Sequence, residues 1–361
     1  MTIEDDLLEI QRTKTISRGA YKKALLHFDA AICEALAVGQ KQAGRPHPYA
    51  GYATYVFAQL CAHGTSMVRA APLSRWVTSE SEDWNFSAVA GHARAILEGI
   101  LLFAYLIEPP ASEDEHRAKI AVMQLNDCTH RIDLHSDFGA EAEAEFFKEQ
   151  QEQLRDRLRH NAYFMALDPV VRKSCLKGKK LMINSRDQLI DQIGIPREQF
   201  NGLFDLFSQH THILTMSFYR MEDNGRNTGI ENDADRSYIG MALLICSQIM
   251  VAATDKLQEV FPDVYSVRKG IDSIFSPGPT HNSPPPIALA ARERQVQISQ
   301  LYGRLNPLAR SIASSVGHTD NKHDLPLQKM VSGTIKCSGG GPPVCADLAL
   351  TPFLHLYWTA F

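Results

Sequence analysis

The sequence predicts an all-α fold, a multi-helix bundle. Apolar residues recur at the three- and four-residue spacing of helices between residues 17 and 260. Runs of β-branched residues are few, and no Asn-Gly or Asp-Gly pair separates two segments of alternating hydrophobicity. A chain of 361 residues, 44% of them hydrophobic, is also long enough to bury a large core. We therefore expect several helices packed around a shared apolar interior.

Apolar stripes, and the prolines and glycines between them, predict the helices of the first half. Tyr21 and Phe28 share one face of a first helix, and an aromatic-rich second helix could pair with it as a hairpin. The third, central helix is rich in small residues that allow close packing, and Pro109 and Pro110 end it. Two longer, more polar helices should form an antiparallel pair. The predicted ranges are 17–38, 48–67, 86–107, 113–135 and 140–161.

Shorter helices are expected in the second half. Ser185 fits a capping box, because its side chain can accept from the amide three residues later while the glutamine there reaches back. That helix should end at Gly194, and Pro196 should take the first position of the next one. Aromatic and leucine side chains at 200–207 form a stripe typical of a core face, and a long helix is predicted over 233–260.

A proline-rich segment divides the chain. Residues 276–286 have the composition of an extended linker. Before it, residues 1–275 form the predicted helical domain. After it, residues 287–361 are expected to contain one amphipathic helix and then little order, because they lack a sustained period.

Composition limits the compartment and the partners. A net charge of -4 argues against coating nucleic acid or an anionic membrane by overall charge, although local basic patches remain possible. Seven cysteines at wide spacings fit neither a disulfide framework nor a zinc ribbon, so we expect reduced core thiols and no metal or other cofactor. The acidic N-terminus is unlike a signal peptide, and the apolar run 95–107 is shorter than a membrane span. These features predict a cytoplasmic protein that is not bound to a membrane.

The leading functional hypothesis is a buried polar pocket that binds a ligand or a protein partner. Arg94 and Glu98 lie four residues apart on the apolar central helix, where ionised groups need a partner. Ser208 and His212 could share a helix face just before a polar break. The alternative for the Arg94 pair is a structural ion pair. The residues predicted to converge are Arg94, Glu98, Ser208, His212, Tyr219 and Arg220.

A second hypothesis concerns RNA. Arg155 and His160 have a spacing that resembles the R-x4-6-H motif of HEPN-domain ribonucleases, which implies a helical, dimeric, metal-independent enzyme. His160 could then act as a general acid or base while Arg155 stabilises charge on phosphate. A basic stretch nearby supplies a candidate anion patch at Lys177, Lys179 and Lys180. The simpler interpretation is a solvated basic helix end that complements the helix dipole.

Three blocks of sequence carry a wider resemblance. They are HARAILEGILLFAYLIEP, LKGKKLMINSRDQL and FSQHTHILTMSFYRMEDNGRNTG. Together they resemble a group of uncharacterised bacterial helical proteins, catalogued as a domain of unknown function, over residues 49–263. The resemblance implies a compact α-helical domain and no established activity. A third hypothesis is therefore a purely structural oligomerisation or adaptor module in which the polar clusters only brace the fold.

Overall fold

The computed structural model describes residues 15–41, 48–78, 81–219, 221, 225–226, 228–273 and 278–279. Within these ranges the chain forms helices and two isolated bridges but no strand, so the predicted all-α fold is confirmed. Short 3-10 helices lie at Pro48–Ala50, Thr215–Ser217 and Pro262–Val267. The α-helices are α1 (Arg18–Gln40), α2 (Gly51–Ala70), α3 (Phe86–Ile107), α4 (Glu113–Asp137), α5 (Glu141–Arg159), α6 (Ala162–Ala166), α7 (Pro169–Leu176), α8 (Arg186–Gln192), α9 (Arg197–Thr211) and α10 (Asp233–Val260).

Polar caps define several helix starts. The Ser17 side chain accepts from the Ala20 amide at 3.1 Å, and Asn232 caps α10 in the same way. The predicted capping box at Ser185 is present in full. Pro196 differs from the prediction by one position: it is the N-cap residue, and α9 begins at Arg197. Its backbone is extended rather than helical, which leaves the proline ring just outside the first turn.

The main core forms around α3, which packs against α2, α9 and α10, while α10 also packs along α1. Two glycines allow this close packing. A Cβ on Gly64 would overlap the Ile32 side chain, and a Cβ on Gly99 would lie 2.7 Å from Leu60 Cδ2. Interiors at this density have no room for an added methyl group. Gly64 therefore allows α2 to pack closely on α1, and Gly99 allows α3 to pack closely on α2.

A second, smaller core lies between the α4–α5 hairpin and the short helices α6 and α7. Leu125, Leu158 and Phe164 are fully buried in it. Gly139 adopts a left-handed conformation (φ +71°) in the turn that joins α4 to α5, as the predicted antiparallel pair requires. The two cores are tied by Tyr105 of α3, whose hydroxyl accepts from the Ile183 amide at 3.2 Å.

Two apolar helices bear on the question of a membrane. Among the described residues, α3 and α10 are long and apolar enough to span a bilayer by length and composition alone. However, 61% of the most apolar window of α3 and 72% of that of α10 are buried inside the protein. Core helices of soluble proteins meet the same criterion, so this is weak evidence for membrane insertion. The cytoplasmic location stays a prediction.

Some predictions fall outside the described residues. These are the C-terminal extension 287–361 and most of the linker 276–286. Five of the seven cysteines lie in described segments, where all five are buried and none forms a disulfide. Burial raises the pKa of the Cys61 thiol to about 12, so this thiol stays protonated at neutral pH.

Candidate functional site

The Arg94–Glu98 ion pair is more exposed than its apolar helix suggested. Arg94 Nη2 lies 3.6 Å from Glu98 Oε1, and half of the Glu98 side chain is accessible to solvent. The expectation of a buried pair is therefore corrected. Arg94 and Glu98 lie on the same face of α3, which is turned toward solvent. The residues that precede them, Ala93 and Leu97, lie on another face and are fully buried. An exposed pair of this kind contributes little to stability.

Arg94 also reaches from α3 to the end of α9. Its Nη1 donates a hydrogen bond to Nε2 of His212, and its guanidinium carbon lies 4.8 Å from the centre of the Phe204 ring. Because arginine only donates, His212 must accept at Nε2 and carry its proton at Nδ1. Arg186 stacks on the same Phe204 ring at 4.0 Å. Arg94 Nε is buried and has no hydrogen-bond partner among the described residues.

The other residues of the predicted polar pocket have different placements. The Ser208 hydroxyl donates to the carbonyl of Phe204 within its own helix at 2.5 Å, so it is engaged by the backbone. Tyr219 is 58% exposed, and Arg220 lies outside the described residues. The structure therefore brings together Arg94, Glu98 and His212 from the predicted set.

His210 is a buried polar residue that was not among the predicted site residues. It points inward, opposite to His212, and its Nδ1 lies 2.9 Å from Ser87 Oγ. Burial, assisted by the positive charge of Arg226, lowers the pKa of His210 to about 4. Arg226 itself pairs with the fully buried Asp235 at 3.0 Å. These buried side chains connect α3, α9 and α10. The sequence signal for them was only the dense run of polar residues before His212.

A basic groove lies between the C-terminal half of α5 and helix α7, with a volume of about 570 Å³. Its apolar lining comes from Phe164, Met165, Pro169 and Leu176. No Asp or Glu is among the described residues that line it. The cationic residues that line this basic groove are Arg155, Arg159, Arg172, Lys173 and Lys177.

The cations of the basic groove differ in how they are held. Arg155 Nε donates to the Leu176 carbonyl at 3.1 Å, which joins α5 to α7, and its Nη1 pairs with Glu152. Arg159 pairs with Asp156 at 3.2 Å. Arg172 Nε is buried without a hydrogen-bond partner in the described part of the chain. Lys173 and Lys177 are exposed, and neither has a carboxylate within 4.0 Å in segment 81–219.

A glycine turn positions Lys177 at the rim of the groove. Gly178 has a φ of +74°, and a Cβ there would lie 2.0 Å from Thr129 Oγ1 of α4. The Asn126 side chain donates to the Gly178 carbonyl at 3.0 Å and fixes the turn against α4. Lys179 and Lys180, the other two residues of the predicted anion patch, follow this turn and do not line the groove.

Arg155 and His160, the predicted catalytic pair, line different pockets of the single chain. Arg155 lines the basic groove, whereas His160 lines a pocket of about 660 Å³ together with Asp114 and Arg157. His160 caps the end of α5, and its Nδ1 lies 2.8 Å from the carbonyl of Asp156.

A histidine pair joins α2 to α3. His63 Nδ1 and His92 Nδ1 lie 3.3 Å apart, and both side chains are half-buried. Burial lowers the pKa of each imidazole, assisted at His92 by the nearby His63, and so favours the neutral form of both. Sequence alone does not predict this pair, because two residues 29 positions apart give no local signal. No group of three or more potential metal-binding side chains occurs among the described residues.

Comparison with known proteins gives no family. No family model, no curated protein and no solved structure matches this chain. The resemblance to the bacterial helical family stays a prediction, and the functional argument rests on the geometry of the chain itself.

Proposed function

We propose that this protein binds an anionic, phosphate-bearing partner in the basic groove, with single-stranded RNA as the first candidate. The observation that carries the proposal is the convergence of five cationic side chains from α5 and α7 on one groove without a lining carboxylate. Two of these cations, Lys173 and Lys177, lack an internal counter-charge in the described part of the molecule. Phosphate oxygens would supply that charge.

The arrangement suits phosphate in two further respects. Arginine offers a planar fork of donors that matches phosphate geometry. The groove is shallow and open, and its floor includes Met165 and Pro169, which offer apolar contact to a sugar or base. An extended backbone can follow such a surface, whereas a small metabolite would be only partly enclosed.

The experiment is a fluorescence anisotropy titration of full-length protein with a labelled single-stranded RNA, compared with duplex DNA and inorganic phosphate. We expect Lys173→Gln and Lys177→Gln each to weaken RNA binding about fivefold. Lys22→Gln on α1 is the matched control, because Lys22 is an exposed lysine on the main bundle. Equal binding by all four proteins, or no binding by the wild type, would contradict the proposal.

A second candidate site is the surface formed by Arg94, His212 and Phe204. The observation in its favour is that Arg94 and Arg186 both stack on the Phe204 ring, while the Nε of Arg94 has no hydrogen-bond partner among the described residues. A carboxylate or phosphate could complete this arrangement. We expect such a ligand to raise the Tm of the wild type in a panel of small anions. Arg94→Lys, which keeps the charge but loses the fork, should abolish the shift.

The ribonuclease hypothesis also has RNA bound in the basic groove, and it adds cleavage of the RNA by His160 as a general acid or base. It requires His160 to approach phosphate bound near Arg155 of a second copy. Wild-type protein should then cleave single-stranded RNA without added metal, and His160→Ala should not. Cleavage at the same rate by both proteins would remove this hypothesis and leave the binding proposal standing.

A further inference from the structure

We propose that His63 and His92 form a binding site for Zn²⁺ between α2 and α3. The two imidazoles face each other through the same atom, Nδ1, and these atoms lie 3.3 Å apart. The ring centres are 5.5 Å apart and the rings are tilted by 53°. The proposal is independent of the basic groove, because it concerns other helices and another class of ligand.

The separation of the two Nδ1 atoms is compatible with Zn²⁺. Two nitrogens bound to tetrahedral Zn²⁺ at their usual bond lengths lie about 3.3 to 3.4 Å apart. The observed distance between His63 and His92 matches that separation.

The surroundings of the pair support a metal site. A hydrogen bond in which one Nδ1 donates and the other accepts is the other explanation of the 3.3 Å contact, and the zinc titration distinguishes the two. Both rings are half-buried, which leaves solvent to supply the remaining ligands, and burial lowers the pKa of both imidazoles, which favours the neutral form that a metal ion binds. The helices that carry them pack closely at Gly99 of α3, where a Cβ would lie 2.7 Å from Leu60 Cδ2 of α2. Such a rigid pair loses little entropy when a cation binds.

Two protein ligands make a site weaker than a structural zinc site with four. We therefore expect an exchangeable ion that stabilises the α2–α3 contact when bound rather than one required for folding. Binding to the folded state alone would raise the Tm in proportion to the logarithm of the zinc concentration.

The test is calorimetric titration of chelator-treated, untagged full-length protein with ZnCl₂. We expect His63→Gln and His92→Gln each to weaken the strongest zinc binding at least tenfold, while His27→Gln, an exposed histidine on α1, leaves it unchanged. Co²⁺ should give the intense visible absorption of a tetrahedral site in the wild type only. Circular dichroism checks the fold, and if one variant is unfolded the other carries the comparison.

Two results would overturn the proposal. One is the absence of zinc binding by the wild type. The other is equal zinc affinity in the wild type and in a folded variant that lacks either histidine, which would assign the binding to other histidines among the 14 of the chain.

Discussion

Single buried polar residues are held in this protein by partners that are distant in sequence. Asp29 of α1 is 4% exposed and accepts hydrogen bonds from the Arg75 guanidinium and from Nε1 of Trp76. Both partners lie in the loop after α2. Each donor satisfies a carboxylate that would otherwise be costly to bury, so the three side chains fasten that loop to the first helix.

Removal of the Asp29 carboxylate should therefore destabilise the fold. Asp29→Ala leaves the Arg75 charge and the Trp76 indole without this acceptor. We expect the free energy of unfolding to fall by about 3 kcal/mol. This is the lower end of the range for a broken buried pair, because Arg75 is partly exposed to solvent. Urea unfolding monitored by circular dichroism measures it. Asp133→Ala, an exposed position on α4, is the control, and an equal loss in both variants would refute the assigned role.

His210 should make stability depend on pH. Its pKa is about 4 in the fold, below the value near 6.5 of an unfolded chain, so between these values the unfolded state binds more protons. Stability due to His210 is then complete above pH 6.5 and falls as the pH drops toward 4, by an amount on the order of 3 kcal/mol. Urea unfolding between pH 7 and pH 4.5 should show a steeper loss for the wild type than for His210→Gln. Parallel curves would show that His210 titrates normally.

Histidines 210 and 212 also show what sequence can predict at the residue scale. Their i, i+2 spacing predicts that they point to different sides of α9, and the structure places His210 inside and His212 outside. Which side is buried depends on where α3 lies against α9, which is tertiary information. The prediction that Glu98 is buried was wrong for the same reason. Sequence does not show which face of an apolar helix is in contact with solvent.

At the scale of elements, the longest helices were the most predictable. The bounds of α3 and α10 coincide with the predicted ranges, because each combines a sustained apolar period with an asparagine cap at its start. The antiparallel α4–α5 pair followed from two polar helices joined at a glycine. The pairing of α5 with α7 could not be predicted, since periodicity gives faces and not neighbours. That pairing creates the basic groove.

The turn after α7 gives a prediction at this scale. Gly178 and Gly139 both have positive φ, so alanine at either position should cost about 1–2 kcal/mol from backbone strain. Only at Gly178 would the new Cβ also collide with Thr129, which adds about 1–3 kcal/mol of overpacking. Thermal unfolding of Gly178→Ala and Gly139→Ala should thus show a clearly lower Tm for the first. Equal Tm values would mean that the α4–α7 contact adapts without cost.

At the scale of the whole molecule, local and overall charge have opposite signs. The chain carries a net charge of -4, yet one groove gathers five cations. The basic stretch after residue 170 was visible in sequence, and so was the basic end of α5. Their convergence was not, and the predicted anion patch therefore included Lys179 and Lys180 but omitted Arg159, Arg172 and Lys173. An acidic surface around a basic groove would confine an anionic partner to that groove.

The salt dependence of RNA binding tests this account most directly. If each groove cation neutralises one phosphate, log K should fall with log[salt] with a slope of about -3.5 for the wild type, and of about -2.1 for the double variant Lys173→Gln/Lys177→Gln. Anisotropy titrations between 50 and 200 mM KCl, about the range over which such slopes are measured, give both values. A shallower slope in the double variant is the predicted result. An identical slope in both proteins would contradict binding of phosphate in the basic groove.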